Sequence, residues 1–216
     1  MKKNILTLIA IITVFSACKK DNNNNPGNST GDYQPTTAGS AWTYQNEASV
    51  IDDVNADPDI TTVVNTMTGT TKVFNGKTFH VINTVDDGST AENYFGINGH
   101  IYTSRSADDD GAVEIDYLDD SKDAGYSSIT NLQIQGADAR LKTTVVEKGI
   151  TKTILNKAYS SVIHTKLETQ VKDGANYTTT AAVDFYVAKG VGIIAIYTSI
   201  NNIQLSKSEL KSYVIK

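Results

Sequence analysis

The sequence predicts an all-β fold: a curved antiparallel meander sheet, forming a half barrel or a barrel, after a signal peptide and a disordered tether. Three observations carry that expectation. The turn dipeptides Asn75-Gly76, Asp87-Gly88, Asn98-Gly99 and Asp110-Gly111 lie 11 to 12 residues apart. The stretches between turns alternate apolar and polar residues with the period of a strand. No apolar stripe with the helical period runs beyond two turns.

The elements follow in order. Trp42 and Tyr44 alternate with Thr43, so both can plug the interior as the first strand enters. Asn-Gly and Asp-Gly supply the positive φ that tight hairpins need. Gly149 and Asp173-Gly174 continue that punctuation. In Thr78 to Val85, the residues Phe79, Val81 and Val85 share a face with Asn83, while Thr78, His80 and Thr84 share the other with Ile82. In the next long run, Tyr159, Ile163, Leu167 and Val171 point one way; Ser160, His164, Lys166, Glu168 and Gln170 point the other. Tyr177, Ala181, Val183, Phe185 and Val187 share a face. One buried face and one wet face require this pattern. Gly190 and Gly192 fit a tight turn or a bulge. Residues 120–138 read as either a short helix or an irregular excursion. The total is about ten to twelve strands, and a twisted sheet of that width curls. Curling gives the apolar faces a shared interior. No side-chain repeat appears, which argues against a propeller or a solenoid.

The first residues form an export signal, residues 1–17. Lys2 and Lys3 precede an apolar run of 11 residues, Ile5 to Phe15, and small Ser16 and Ala17 lead to Cys18. A spanning helix needs ~20 residues, so the run is too short to stay as an anchor. Cys18 is the single cysteine, and a lone cysteine in an exported chain asks for a use. Phe15-Ser16-Ala17-Cys18 resembles the lipobox of bacterial lipoproteins, with Phe15 where Leu is usual. The resemblance implies cleavage before Cys18 and fatty acylation, palmitate among the chains, at its thiol. More than one acyl chain gives stable anchoring. Residues 18–31 hold no apolar residue after the cysteine, so they are expected to be a flexible tether. The run Cys18-Lys19-Lys20-Asp21-Asn22-Asn23 resembles the start of Bacteroidota envelope lipoproteins. That resemblance implies the outer membrane, on the cell surface or the periplasmic face. Residues 32–216 then form a single β-rich domain of ordinary size.

Two further stretches carry a resemblance. Tyr33-Gln34-Pro35 with Gly39-Ser40-Ala41-Trp42-Thr43-Tyr44, and Phe185 to Ile194 with its Gly190-Val191-Gly192, are similar to the opening and late segments of uncharacterised secreted bacterial domains. Thr36 stands where those domains usually carry a branched apolar residue after the proline. The resemblance implies a curved antiparallel sheet of the lipoprotein-carrier type, a scaffold without an implied activity. Trp42, Tyr44, Phe79, Phe185 and Ile193 are the candidate core or ligand-contact residues.

Composition and motifs bound the chemistry. Removing Lys2 and Lys3 from the 19 basic residues leaves 17 against 24 acidic, a formal net charge of −7. Nucleic acid needs a positive surface, so it is not an expected partner. Asp108, Asp110 and Glu114 lie in an acidic cluster that is a weak calcium candidate, without the spacing of an EF-hand loop. His80, His100 and His164 lie far apart and read as outward strand residues; no metal site or cofactor is expected. No Gly-x-Ser-x-Gly elbow is present. Carboxylate pairs are too numerous to be informative about glycosidase chemistry. Eleven tyrosines against five Phe and one Trp suit either sheet surfaces or binding grooves. The expected function is a non-catalytic, membrane-anchored envelope lipoprotein. Its domain would bind or carry an apolar or amphipathic ligand, or dock an envelope protein. A structural or accessory role without a ligand is the alternative, and a hydrolase is third. A ligand cavity lined by Trp42, Phe79, Phe185 and Ile193 favours the carrier; a packed interior favours the accessory role.

Overall fold

The computed structural model describes residues 33–49, 57–106, 113–134 and 136–216. Cys18, its tether, and Asp108 and Asp110 lie outside the described residues. Twelve strands follow one another: β1 (Ala41–Ala48), β2 (Asp59–Phe74), β3 (Lys77–Asp86), β4 (Ser89–Asn98), β5 (Ile101–Arg105) and β6 (Glu114–Asp119) in the first half. The second half holds β7 (Ser127–Ile134), β8 (Ala137–Ile154), β9 (Lys157–Asp173), β10 (Asn176–Ala188), β11 (Gly192–Ile200) and β12 (Ile203–Val214). They form one antiparallel sheet in the order β6-β5-β4-β3-β2-β1-β12-β11-β10-β9-β8-β7. Each half is a meander, and the first and last strands join the halves by pairing Ala41 to Val214 and Ala48 to Ser206.

The turns explain the meander. Asn75, Asp87 and their following glycines all have positive φ, as a two-residue hairpin requires. Gly149 departs from the expected turn: it lies inside the 18-residue β8, at φ 73°, where the register with β9 shifts. There it bends the strand, and the hairpin closes later at Leu155-Asn156, both at positive φ. Residues 120–138 contain no helix among those described; they are a turn-rich connection, 120–126, followed by β7 and the start of β8.

Topology forces the curl. Laid flat, twelve strands would hold β6 and β7 ~50 Å apart. The connection 120–126 joins those two edges. Seven residues reach at most ~25 Å. The sheet therefore rolls until its first edge meets the inner side of β9. There the Thr165 hydroxyl donates to the Tyr117 carbonyl at 2.5 Å. The Tyr117 and Phe185 rings lie 5.6 Å apart. Lys148 of β8 staples the connection by donating to the carbonyls of Asp120 and Lys122 at 3.1 and 2.9 Å. The roll does not close: among the described residues β6 pairs only with β5, and β7 only with β8.

The interior holds the main apolar cluster, with Trp42, Tyr44, Met67, Ile82, Phe95, Tyr102, Tyr117, Phe185 and Ile196 among its members. Polar residues on the inner face of β2, β3 and β4 satisfy one another: Asn93 donates to the Thr84 hydroxyl at 2.9 Å and Thr84 to Asn65 at 2.7 Å. Residues 33–40 lie across the interior at one end. Buried Gln34 sits against Gly192, where a Cβ would meet its Oε1 at 3.2 Å. With φ at 102°, that position suits glycine twice over.

Candidate functional site

The five candidate residues are all buried, each no more than 4% exposed. β1 sends Trp42 and Tyr44 inward, and both reach across the roll to the β10–β11 corner. The Trp42 indole N–H donates to the Val191 carbonyl at 2.6 Å. The Tyr44 hydroxyl donates to the Ile193 carbonyl at 2.8 Å. Burial pushes the Tyr44 hydroxyl far above its ordinary range, so it stays protonated and remains a donor. These bonds tie the two sheet halves together through side chains whose polar tips would otherwise be stranded. A void large enough for a ligand would leave its lining within reach of water. Trp42, Tyr44, Phe185 and Ile193 are not within reach, so they are core.

Phe79 belongs elsewhere. Strand alternation puts it on the outer face, opposite Ile82, in a separate cluster with Val81, Tyr94 and Phe74. Its ring covers Gly96, the residue it pairs with on β4. A glycine there gives the ring room that a Cβ, at 2.9 Å, would take away. The expected grouping of Phe79 with Trp42 and Phe185 around one cavity therefore does not hold. Both faces of β3 carry apolar residues, and alternation alone cannot say which face is inside.

The remaining candidates also find partners. Glu114 accepts from Lys77 at 2.8 Å and from Arg105 at 2.9 Å. Its carboxylate is thus held by two cations, while Asp108 and Asp110 of the same acidic cluster lie outside the described residues. Among the described residues no three His, Cys, Asp or Glu side chains converge on a metal position. His100 is exposed and bonds Asp120 at 2.6 Å. His80 shares the inner face with Ile82 and is half-buried, and that burial lowers its pKa. His164 points outward as expected yet is only 8% exposed.

His164 anchors a feature that sequence reading missed. Glu147 of β8 meets its Nδ1 at 3.1 Å, and Asp184 of β10 meets its Nε2 at 2.7 Å. The Tyr186 ring stacks on the imidazole with centroids 4.2 Å apart. Lys152 caps the same tyrosine at 4.1 Å. The band continues across β11, β12 and β1. The Tyr197 hydroxyl donates to Glu209 at 2.8 Å. Lys207 pairs with Glu47 at 2.9 Å, which raises the lysine's pKa and lowers the acid's. Burial raises Tyr186 and Tyr197, with the carboxylates beside them adding to it. All these side chains stand on one face because their strand positions are cross-strand partners: Glu147 with His164, His164 with Tyr186, Tyr197 with Lys207, Lys207 with Glu47. Only the register reveals this, and register is not written in any one strand.

The chemistry open to this band is limited. Both ring nitrogens of His164 are occupied by carboxylates on opposite sides of the ring. Neither is free to activate a nucleophile or bind a metal. What remains is a fixed polar and aromatic surface of the kind that suits contact with another molecule.

No family model matches the chain. No curated protein matches it either. Solved structures do resemble it. One is a protein of Bacteroides fragilis inferred to be exported, with a YmcC-like fold: TM-score 0.50 and 13% identity, over 83% of this chain and 97% of that one. Another, from Parabacteroides distasonis and inferred to be a lipoprotein, gives a TM-score of 0.49 and 8% identity over 84% and 98%. At such identity the likeness to the first shows a shared fold.

Proposed function

We propose that this chain is an exported lipoprotein, lipidated at Cys18 and held at the outer membrane by residues 18–31, whose sheet is a non-catalytic docking domain. Its partner is another envelope protein, met by the outer surface of the sheet. The observation that carries this reading is the burial of Trp42, Tyr44, Phe185 and Ile193, each at 4% exposure or less. A carrier of an apolar ligand keeps room for it inside, lined by apolar side chains. Here those four side chains are themselves part of the main buried apolar cluster. The export signal, the lone cysteine and the apolar-free tether support the anchor. The exported character inferred for the Bacteroides fragilis protein of similar fold agrees with it.

Two measurements test the reading. Cys18→Ser is expected to abolish the acyl mass and release the chain from membranes; retention of acyl mass would remove the anchor. Native mass spectrometry of the lipoprotein from its own host is expected to show the polypeptide and its acyl chains alone. A stoichiometric amphipathic molecule beyond those chains would restore the carrier reading.

A further inference from the structure

We infer that the free edge strand β7 pairs with the β7 of a second copy, antiparallel about Asn131, so that two molecules share one continuous sheet. The inference goes beyond the docking role: it names one contact, and the geometry of that contact does not depend on the anchor.

Among the described residues β7 is bonded on one side only, to β8. Two observations fix which of its main-chain groups are left over. Val145 N–H donates to the Tyr126 carbonyl at 2.9 Å, and at the far end Ile134 faces Ala137 across a two-residue connection. Hydrogen-bonded pairs alternate along an antiparallel ladder, and a two-residue hairpin closes on one. From either end, Ser128, Thr130, Leu132 and Ile134 turn their main-chain groups to β8. Ile129, Asn131 and Gln133 turn theirs to the open edge.

An open edge is a template for another strand, and folded proteins blunt it with charge, proline, a bulge or a cover. Among the described residues β7 has none of these. Its sequence, Ser-Ser-Ile-Thr-Asn-Leu-Gln-Ile, carries no charge, no proline and no glycine. Its register with β8 runs without a shift. Ile129, in mid-strand, is 51% exposed.

Neutrality also selects the occupant. In a two-fold contact each strand meets its own copy, so a charged strand faces like charge. β6, with Glu114, Asp116 and Asp119, could not do so cheaply. β7 sets Asn131 against Asn131 and Ile129 against Gln133. An Asn amide both donates and accepts, so it can pair with itself. The cations just behind, on β8, are already engaged. Lys142 lies 3.5 Å from Glu168, and Arg140 donates to Gln170 at 2.7 Å. A charged foreign strand has nothing here to recognise. Eight edge residues bury less than the ~800 Å² per partner of a standard stable interface, so the pair is weak in free solution. Confinement on one membrane raises the effective concentration that populates it.

The test is Asn131→Cys in the mature lipoprotein, in its own membrane. Paired residues of the hydrogen-bonded kind have Cα atoms ~5.5 Å apart. That lies within the ~4.4–6.8 Å span of a disulfide. Mild oxidation is expected to give a covalent dimer on a non-reducing gel. Asp116→Cys on β6 and the unsubstituted protein are expected to give none. Adding Ile129→Lys to Asn131→Cys is expected to remove the dimer band. No dimer in any lane overturns the inference and leaves the anchor standing. A dimer band of equal strength in all four lanes would come from a free Cys18, and overturns both. If the thiol introduced by Asn131→Cys stays reduced yet is shielded from a maleimide reagent, a different strand holds the edge, which overturns the self-pairing.

Discussion

The two edges of this sheet meet opposite fates. β6 is short, acidic and covered: Tyr117 and Leu118 are buried, Thr165 caps the Tyr117 carbonyl, and Glu114 is paired twice. A register shift between Tyr102 and Thr103 adds a bulge beside it. β7 is neutral, regular and bare. One mechanism accounts for both. The roll of the sheet turns β6 inward onto β9, so aromatic packing seals it. The same roll carries β7 past the seam, where nothing among the described residues is bonded to its outer side. A curled sheet that stops short of closure thus leaves one edge packed against its own interior and the other open among the described residues. That open strand offers main-chain polar groups to a strand laid beside it, while aromatic side chains of the roll, Tyr117 and Phe185 among them, are buried in its main cluster.

The largest expected effect breaks the sealed edge. Tyr117→Ala removes a ring that touches Phe95, Tyr102 and Phe185 at centroid distances of 6.0, 6.4 and 5.6 Å. Truncating a fully buried aromatic costs about 3–5 kcal/mol. Ile129→Ala on β7 should stay within about 0.5 kcal/mol, as exposed positions do. Urea unfolding of the two variants measures the contrast, and equal midpoints would mean that the seam is not held where the packing places it. Next comes Thr165→Val, which keeps shape but leaves the Tyr117 carbonyl without its donor. An orphaned buried acceptor costs about 1–3 kcal/mol. Its counterpart on the open edge, Thr130→Val, should cost nothing measurable in the same assay.

How much of this was legible beforehand differs between those edges and the rest. The Asn75-Gly76 and Asp87-Gly88 hairpins were readable because the dipeptide itself dictates the backbone. So was the inward face of β9 and β10, where Ile163, Leu167, Val183 and Phe185 keep the period of two. β3 was misread because Phe79 and Ile82 are both buried on opposite faces, and alternation has no sign when both sides are covered. β7 was invisible for the opposite reason. Exposed on both faces, it shows little hydrophobic alternation, so residues 120–138 read equally as a short helix or an irregular excursion. The Glu147-His164-Asp184 set draws on three strands; its members become neighbours only through a register set by bulges at Val145/Glu147 and beyond. The role of Gln34 as a buried plug had no signal in the sequence, since its partners Tyr117 and Gly192 lie far along the chain.

A smaller effect sharpens the comparison at the β6 edge. Glu114→Gln removes both of its ion pairs, with Lys77 half exposed and Arg105 mostly buried. Partly exposed pairs contribute about 1 kcal/mol or less. The loss should shrink in 1 M salt, where screening acts within about 3 Å. Repeating the unfolding with and without salt reads it directly; a loss indifferent to salt would point to packing of the Arg105 stem against Phe74 instead, where the guanidinium carbon lies 4.2 Å from the ring centroid.

The smallest effect is one of pH, and it also separates the two sides. β7 and β8 contain no histidine, whereas β3 carries His80, whose pKa burial lowers. The unfolded chain takes up that proton near its ordinary pKa of about 6.5, before the folded one does. Folding is therefore fully favoured above that pH and loses ground as pH falls below it, because the unfolded state binds more protons. His80→Gln should flatten that part of the profile while leaving stability at pH 7.5 nearly unchanged. Hydrogen exchange at pH 7.5 and 5.5, corrected for intrinsic rates, locates it. Protection across β3 and β4 should fall more in the parent than in the variant, and the β7–β8 ladder should behave alike in both. A loss confined to β7 and β8 would mean that acid opens the bare edge first, and that burial of His80 is not what sets the order.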